Sequence, residues 1–368
     1  MTLVVMACIA ASATAAHDSS SSSSSDVSDS TSSDRYTVAS GSVQDIEAST
    51  SHQTVMKTWS VETSKDEEID GIKLELPGRA FISYVSGESS GPLAYVNVSG
   101  DSEELIKKVS VESSGDKTLW VGIGDDRSGL TGHLLTEVFL LQSSKVKAVV
   151  SVYSAEVVVE GDVLATAGDS SAVALTVSEQ SNVYLSAASE DMSVTAMHVQ
   201  VKNTASLQID VANVAVSEEA DFGAHVSGSI TLFASTFSSK YLTLEADNNG
   251  QICFNSDDVD VDHLEGHDSS KISFPKASKS FSGVTGDFAC AQKSVPAREP
   301  SSVSNSSDSS STSMDATGSS SSLVASTSSD SASPTTTEVS AGTKLSGSHA
   351  EIAALLLLLA ISGTTETW

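Results

Sequence analysis

The sequence has little of three things: aromatic side chains (5%), basic side chains (19 Lys and Arg) and cysteine (3 residues). Against 48 acidic residues the few basic ones leave a formal net charge of −29. Such a surface repels nucleic-acid phosphates and anionic lipids, which excludes both as partners. Long apolar runs are also missing. The longest is the ten-residue stretch Ile352 to Ile361. A helix of that length reaches roughly 15 Å, about half of a bilayer core, so it is too short to span a membrane. Long helical patterns are absent too, and the best candidate is a turn or two over Ser102 to Lys108.

The two ends carry addressing signals. Met1 to Ala16 contains a small apolar segment, Leu3 to Ala11, and Ala13-Thr14-Ala15 or Thr14-Ala15-Ala16 offers the small residues a signal peptidase reads. Residues 1–16 are therefore expected to be a signal peptide, although its n-region, Met1-Thr2, has no Lys or Arg. At the other end, Ser340, Ala341 and Gly342 precede a polar spacer, Thr343 to Glu351, and then the apolar run. That order matches the attachment signal of a glycosylphosphatidylinositol (GPI) anchor, with Ser340 the expected attachment residue and 341–368 the segment removed. The expected location is secreted, on the outer face of the plasma membrane or in a cell wall, with the membrane engaged through the lipid only.

Composition divides what lies between. Asp18 to Asp34 is almost wholly Ser, Thr and Asp, and Val295 to Ser340 returns to Ser and Thr. Neither arm can bury enough apolar surface to offset chain entropy. The expected layout is a disordered arm over 17–35, a folded head over 36–292 and a Ser/Thr-rich, O-glycosylated stalk over 293–340. Asn97-Val98-Ser99 and Asn305-Ser306-Ser307 are acceptor sequons, so Asn97 and Asn305 are the expected N-glycosylation sites. Cys8 lies in the signal segment, which leaves Cys253 and Cys290 with a single possible pairing in an oxidising compartment.

The head alternates apolar and small polar residues with the period of strands, as in Val173-Ala-Leu175-Thr-Val177 and Leu207-Gln-Ile209-Asp-Val211. Strand, small-polar corner and strand recur. Taking Val157, Val183, Leu207, Ile230 and Ile252 as equivalent gives spacings of 26, 24, 23 and 22, and Ile272 starts a further unit. A period in the low twenties suits one coil of a right-handed parallel β-helix, in which stacking joins each coil's apolar row into a continuous core. Its narrow interior is expected to be filled by Val, Ile, Leu and Ala. One or two β-sandwiches are the competing architecture.

With its Ser- and Gly-bearing corners (Ser154-Ala155, Ser181-Asn182, Gly228-Ser229, Gly250-Gln251) between short alternating strands, the head resembles the head GIN-type domains of adhesin-like proteins. The likeness runs from Tyr36 to Phe274 and is best from Val149 to Phe254. It implies a right-handed parallel β-helix on a surface or secreted protein. The whole layout resembles GPI-anchored, Ser/Thr-rich wall proteins of walled eukaryotic microbes.

No motif for chemistry survives inspection. Gly87-Glu88-Ser89-Ser90-Gly91 has the letters of a nucleophile elbow, but a strand rather than a helix pattern follows. Asp258-x-Asp260-x-Asp262 has the start of a calcium loop, yet His263 stands where the Gly is required and Ser269 where the bidentate Glu is required, so a solvated acidic loop is expected. Gly122-Ile-Gly124 has no following helix, and Trp59 and Trp120 read as core caps before sugar platforms. The expectation is a non-enzymatic, adhesin-like or structural protein with no catalytic residue, cofactor or metal ligand. Its expected partners are surface or wall glycans or proteins. The alternative is a secreted β-helical enzyme acting on wall polysaccharide.

Overall fold

The computed structural model describes residues 36–304, apart from 48–51, 64–66, 87–90, 115–116, 125–128, 154–155 and 167–170. The strands are β1 (Thr37–Ser40), β2 (Gln44–Asp45), β3 (Val55–Glu62), β4 (Gly71–Glu75), β5 (Arg79–Tyr84) and β6 (Ala94–Gly100). After a helix, α1 (Glu103–Lys107), come β7 (Val109–Ser114), β8 (Thr118–Ile123), β9 (Thr131–Leu140), β10 (Ala148–Val152), β11 (Glu156–Glu160) and β12 (Ala172–Ser178). Then follow four long bent strands, β13 (Asn182–Val201), β14 (Ser206–Ala224), β15 (Ser229–Ala246) and β16 (Gln251–His267), and two short ones, β17 (Ile272–Ser273) and β18 (Ser301–Ser304).

These strands form a parallel β-helix of about five turns, not a pair of facing antiparallel layers. The register carries the repeat read from sequence. Val157 pairs with Val183, Val183 with Leu207, Leu207 with Ile230, Ile230 with Ile252, and Ile252 with Ile272. Each of these side chains points inward and is buried. One flat wall runs β8, β4, β10, β12 and then the second halves of β13 to β16. A second wall runs β9, β5, β11 and the first halves of β13 to β16. A short third side, Asp191–Val194 in β13, is added where the strands become long.

From Val157 onward, the corner between the two flat walls is made the same way in each coil. Four residues before each inward position, the chain takes a left-handed conformation: Tyr153 (φ 62°), Glu179 (φ 61°), Asn203 (φ 62°), Val226 (φ 65°), Asn248 (φ 49°) and Asp268 (φ 59°). A single residue in that region turns the backbone sharply while the strands on either side keep their ladders. Two residues later in two of these corners the coils approach so closely that only glycine fits. A Cβ on Gly228 would lie 2.5 Å from the Val201 carbonyl oxygen, and one on Gly250 would lie 2.0 Å from that of Ala224.

The interior is aliphatic for most of its length, but it ends in a column of phenylalanines. Phe222, Phe237 and Phe254 meet edge to face, and Phe254 stacks on Phe274 with centroids 5.0 Å apart. This corrects the expectation of a purely aliphatic filling. Phe281, Val284 and Ala277 close that end of the core. The other end is capped by antiparallel strands, with β1 and β2 on β3, β3 on β6 and β6 on β9. Capping both ends covers the strand edges that a bare stack would offer to another chain. The expected short helix is α1, capped by Ser102, whose Oγ accepts from the Leu105 N–H at 3.3 Å.

Candidate functional site

The two flat walls have opposite fates. On the second wall a row of outward side chains, Phe81, Leu135, Val158, Tyr184, Gln208 and Cys253, is buried by the chain itself. Residues 288–304 run back along it from the last coil to the capped end as a strap. Cys290 is bonded to Cys253, as expected, with Cα atoms 5.4 Å apart. The Gln208 side chain then holds Lys293 through both its backbone groups, at 2.8 and 3.0 Å. Farther along, Arg298 donates to Glu137 at 3.0 Å, Glu160 at 2.5 Å and Ser83 at 2.9 Å, with its guanidinium 4.5 Å from the Phe81 ring centroid. Arg79 reaches up to the Ala297 and Glu299 carbonyls, and β18 pairs antiparallel with β9. Wall residues Phe81, Leu135, Val158 and Tyr184 form a second apolar cluster on this side of the sheet. Residues 293–304 therefore belong to the head, which corrects the expectation that the stalk begins at 293.

One of the two sequons lies in the cap, in the strand beside this wall. Asn97 sits in the middle of β6, paired with Thr58 and Glu137, and is only 8% exposed. Its Oδ1 has no hydrogen-bond partner. Asn305 and Ser340 lie outside the described residues, as do the signal segment and the apolar run Ile352 to Ile361. Among the described residues no helix is long and apolar enough to cross a membrane.

The first wall is open along β13 to β16. Outward positions of successive coils line up as Ala196, Glu219, Tyr241 and His263, then as His198, Asp221, Thr243 and Glu265. Tyr241 is 46% exposed and stacks on His263 in the next coil, with centroids 5.1 Å apart and planes 15° apart. His198 Nδ1 lies 3.0 Å from an Asp221 carboxylate oxygen. His225 bridges Gln200 at 3.0 Å and Asp247 at 3.1 Å across Gly223, where a Cβ would lie 2.7 Å from both Gln200 and His225. The Asp247 carboxyl is held below its ordinary range, first by the Val226 N–H and then by His225. Nearer the capped end, Trp120 donates to Glu75 at 2.8 Å and lies against Gly122. The wall thus offers aromatic faces, imidazoles and carboxylates at the spacing of the coils. That arrangement can stack and hydrogen-bond a repetitive ligand.

Several residues singled out in the sequence are placed elsewhere. Asp258, Asp260 and Asp262 are not in a loop but in β16, because the repeat continues through them. Asp257 and Asp260 face Lys276 and Lys279 at 3.7 and 3.1 Å on the solvent side. Gly87 to Ser90 lie outside the described residues, and strand β6, not a helix, follows them. The strands on either side, β5 and β6, each pair with β9. Trp59 is buried in the cap. One cluster had no sequence signal at all: His52, Asp101 and His133 come together at the capped end from separations of 49 and 32 residues.

No family model and no curated protein matches the sequence. Solved structures similar to it include a "putative adhesin" from Bacteroides fragilis (12% identity, TM-score 0.31, 57% of this chain and 93% of that one). A second of the same description comes from Parabacteroides distasonis (15% identity, TM-score 0.31, 58% and 93%). A "putative lipid binding protein" from P. distasonis aligns at 12% identity and a TM-score of 0.27, over 61% and 93%. Superpositions this loose carry no conclusion about the function of this chain.

Proposed function

We propose that this protein is a non-enzymatic, adhesin-like surface protein whose β-helical head binds through its open flat wall. The observation that carries the reading is the asymmetry of the two walls. The strap seals one with a disulfide, an arginine cluster and a strand pairing, while the other displays Tyr241, His263, His198 and Asp221 in ordered rows. Sugar rings suit such a surface, since aromatic faces offer apolar stacking and the flanking imidazoles and carboxylates fix hydroxyls. In the same reading the Ser/Thr-rich segment beyond 304 is a stalk, and the C-terminal signal supplies a GPI anchor at Ser340.

Two experiments test this. Phosphatidylinositol-specific phospholipase applied to intact cells is expected to release the protein, and retention on the cells rejects the anchor. A glycan array probed with residues 36–304 is expected to give a signal lost in Tyr241→Ala. A signal unchanged in that variant rejects the open wall as the binding surface. Turnover of a wall polysaccharide by the purified protein would instead make it an enzyme.

A further inference from the structure

We propose that His52, Asp101 and His133 form a binding site for a divalent transition-metal ion of the Zn2+ class. The three residues meet where three neighbouring strands of the cap are in register. Val55 of β3 pairs with Gly100 of β6, and Gly100 pairs with Leu134 of β9. His52 lies in the turn before β3, Asp101 directly follows β6, and His133 precedes Leu134.

The geometry of the donors is that of a ligand set. His52 Nδ1 lies 2.9 Å from Asp101 Oδ2, and His133 Nδ1 lies 2.7 Å from the same oxygen. The two imidazoles stack with centroids 3.6 Å apart and planes 20° apart. Two like rings therefore turn the same nitrogen toward one carboxylate oxygen. The three ligand atoms all lie within 4.8 Å of one another. Two ligands each about 2.1 Å from a tetrahedral ion are about 3.4 Å apart, so modest side-chain movement admits the ion between them. Ligation through Nδ1 requires each neutral ring to carry its one proton on Nε2, so the ion takes the place of the two imidazole–carboxylate hydrogen bonds. Two imidazoles and one carboxylate leave a fourth position, and the partial exposure of all three side chains gives water access to it. Imidazole donors select Zn2+, Ni2+ or Cu2+ over Ca2+ and Mg2+.

The backbone around the cluster is shaped to bring it together. Gly132 has φ 137°, and a Cβ there would lie 2.9 Å from Asp101 Oδ1. A Cβ on Gly100 would lie 2.1 Å from the His133 carbonyl oxygen. Asp101 Oδ1 is fixed by the His133 N–H at 2.7 Å, which leaves Oδ2 for the imidazoles. The turn that carries His52 is pinned by Thr54 N–H to Gly100 O at 2.8 Å and by Gln53 to Ser99 at 3.0 Å. These contacts hold the carboxylate and both rings in place from outside the ligand set, as supporting residues do at metal sites.

The test is calorimetric titration of the full chain, made without a polyhistidine tag, with ZnCl2 as the probe. One ion per chain is expected to bind, with His52→Ala and His133→Ala each weakening affinity at least about tenfold. His263→Ala on the open wall is expected to leave it unchanged. Zn2+ should also raise the melting temperature of the wild type and not of His52→Ala, whose exposed ring can be removed without disturbing the core. Absence of a one-to-one site in the wild type overturns the proposal, as does wild-type affinity in the His52→Ala/His133→Ala double variant. Equal affinity for Ca2+ overturns it too.

Discussion

At the residue scale, the corners show how a coil is turned and what that costs. Asn203, Asn248 and Asp268 suit the left-handed region because their short polar side chains tolerate it. Val226 does not. Its branched Cβ stands at φ 65°, and 47% of the residue is exposed, so little burial compensates. What holds it is the next coil, since Asp247 Oδ1 accepts the Val226 N–H at 2.9 Å. Val226→Asn is therefore expected to raise stability by about 1 kcal/mol, read as a higher urea midpoint at unchanged slope. The same contact predicts a pH effect. The folded-state pKa of Asp247 is depressed, first by the Val226 N–H and next by His225. Its contribution is thus present above the unfolded carboxylate value, near pH 4, and is lost as pH falls through the folded value. Melting temperatures measured from about pH 5 to about pH 2 should fall less steeply in Asp247→Asn than in the wild type. Parallel curves would remove Asp247 from the acid response.

At the element scale, the strap fixes which wall is available, and two attachments can be removed separately. Cys253 and Cys290 close a loop with a sequence separation of 37. In the chain-entropy model their replacement by serine costs about 4 kcal/mol. Arg298 is 29% exposed at its side chain and faces Glu137 and Glu160, of which Glu137 is 15% exposed. Arg298→Ala leaves both carboxylates beside Phe81 and Phe139 without their cation. After allowance for solvent screening the expected loss is about 2 kcal/mol, and Arg298→Lys does not restore it, because an ammonium cannot span both carboxylates and stack on the ring. Denaturant titration of the three variants checks both figures. If the strap is peripheral, Arg298→Ala will melt with the wild type. Truncation after Gln292 is expected to uncover Phe81, Leu135, Val158 and Tyr184 and to give binding of a hydrophobic dye that the longer chain lacks.

At the scale of the whole molecule, the coil stack was legible because stacking forces equivalent side chains into one row. Val157, Val183, Leu207, Ile230 and Ile252 announce themselves as a spacing. The strap has no such period. β18 is Ser-Ser-Val-Ser, indistinguishable in composition from the Ser-rich sequence after it, and only its pairing with β9 makes it a strand. The His52–Asp101–His133 cluster was hidden for a related reason, since antiparallel pairing in the cap joins distant segments with no repeat to reveal them. The corner rule was half legible, with Ser and Gly marked in sequence but the left-handed residue two positions earlier missed. Charge was fully legible, and its consequence belongs to the molecule as a whole. Residues 36–304 hold 38 acidic and 17 basic side chains, a formal charge of −21 that makes the compact state repel itself. The ion pairs that oppose this are of two kinds. Exposed ones such as Lys107–Glu103 weaken with salt, whereas the half-buried Arg298 and Arg79 pairs are screened much less. Screening should therefore remove more repulsion than attraction. Raising NaCl from about 0.01 M to about 0.5 M, which shortens the Debye length from about 30 Å to a few ångströms, is expected to raise the melting temperature by several degrees. A melting temperature that falls with salt would mean that the surface pairs, and not the summed repulsion, govern the stability of the stack.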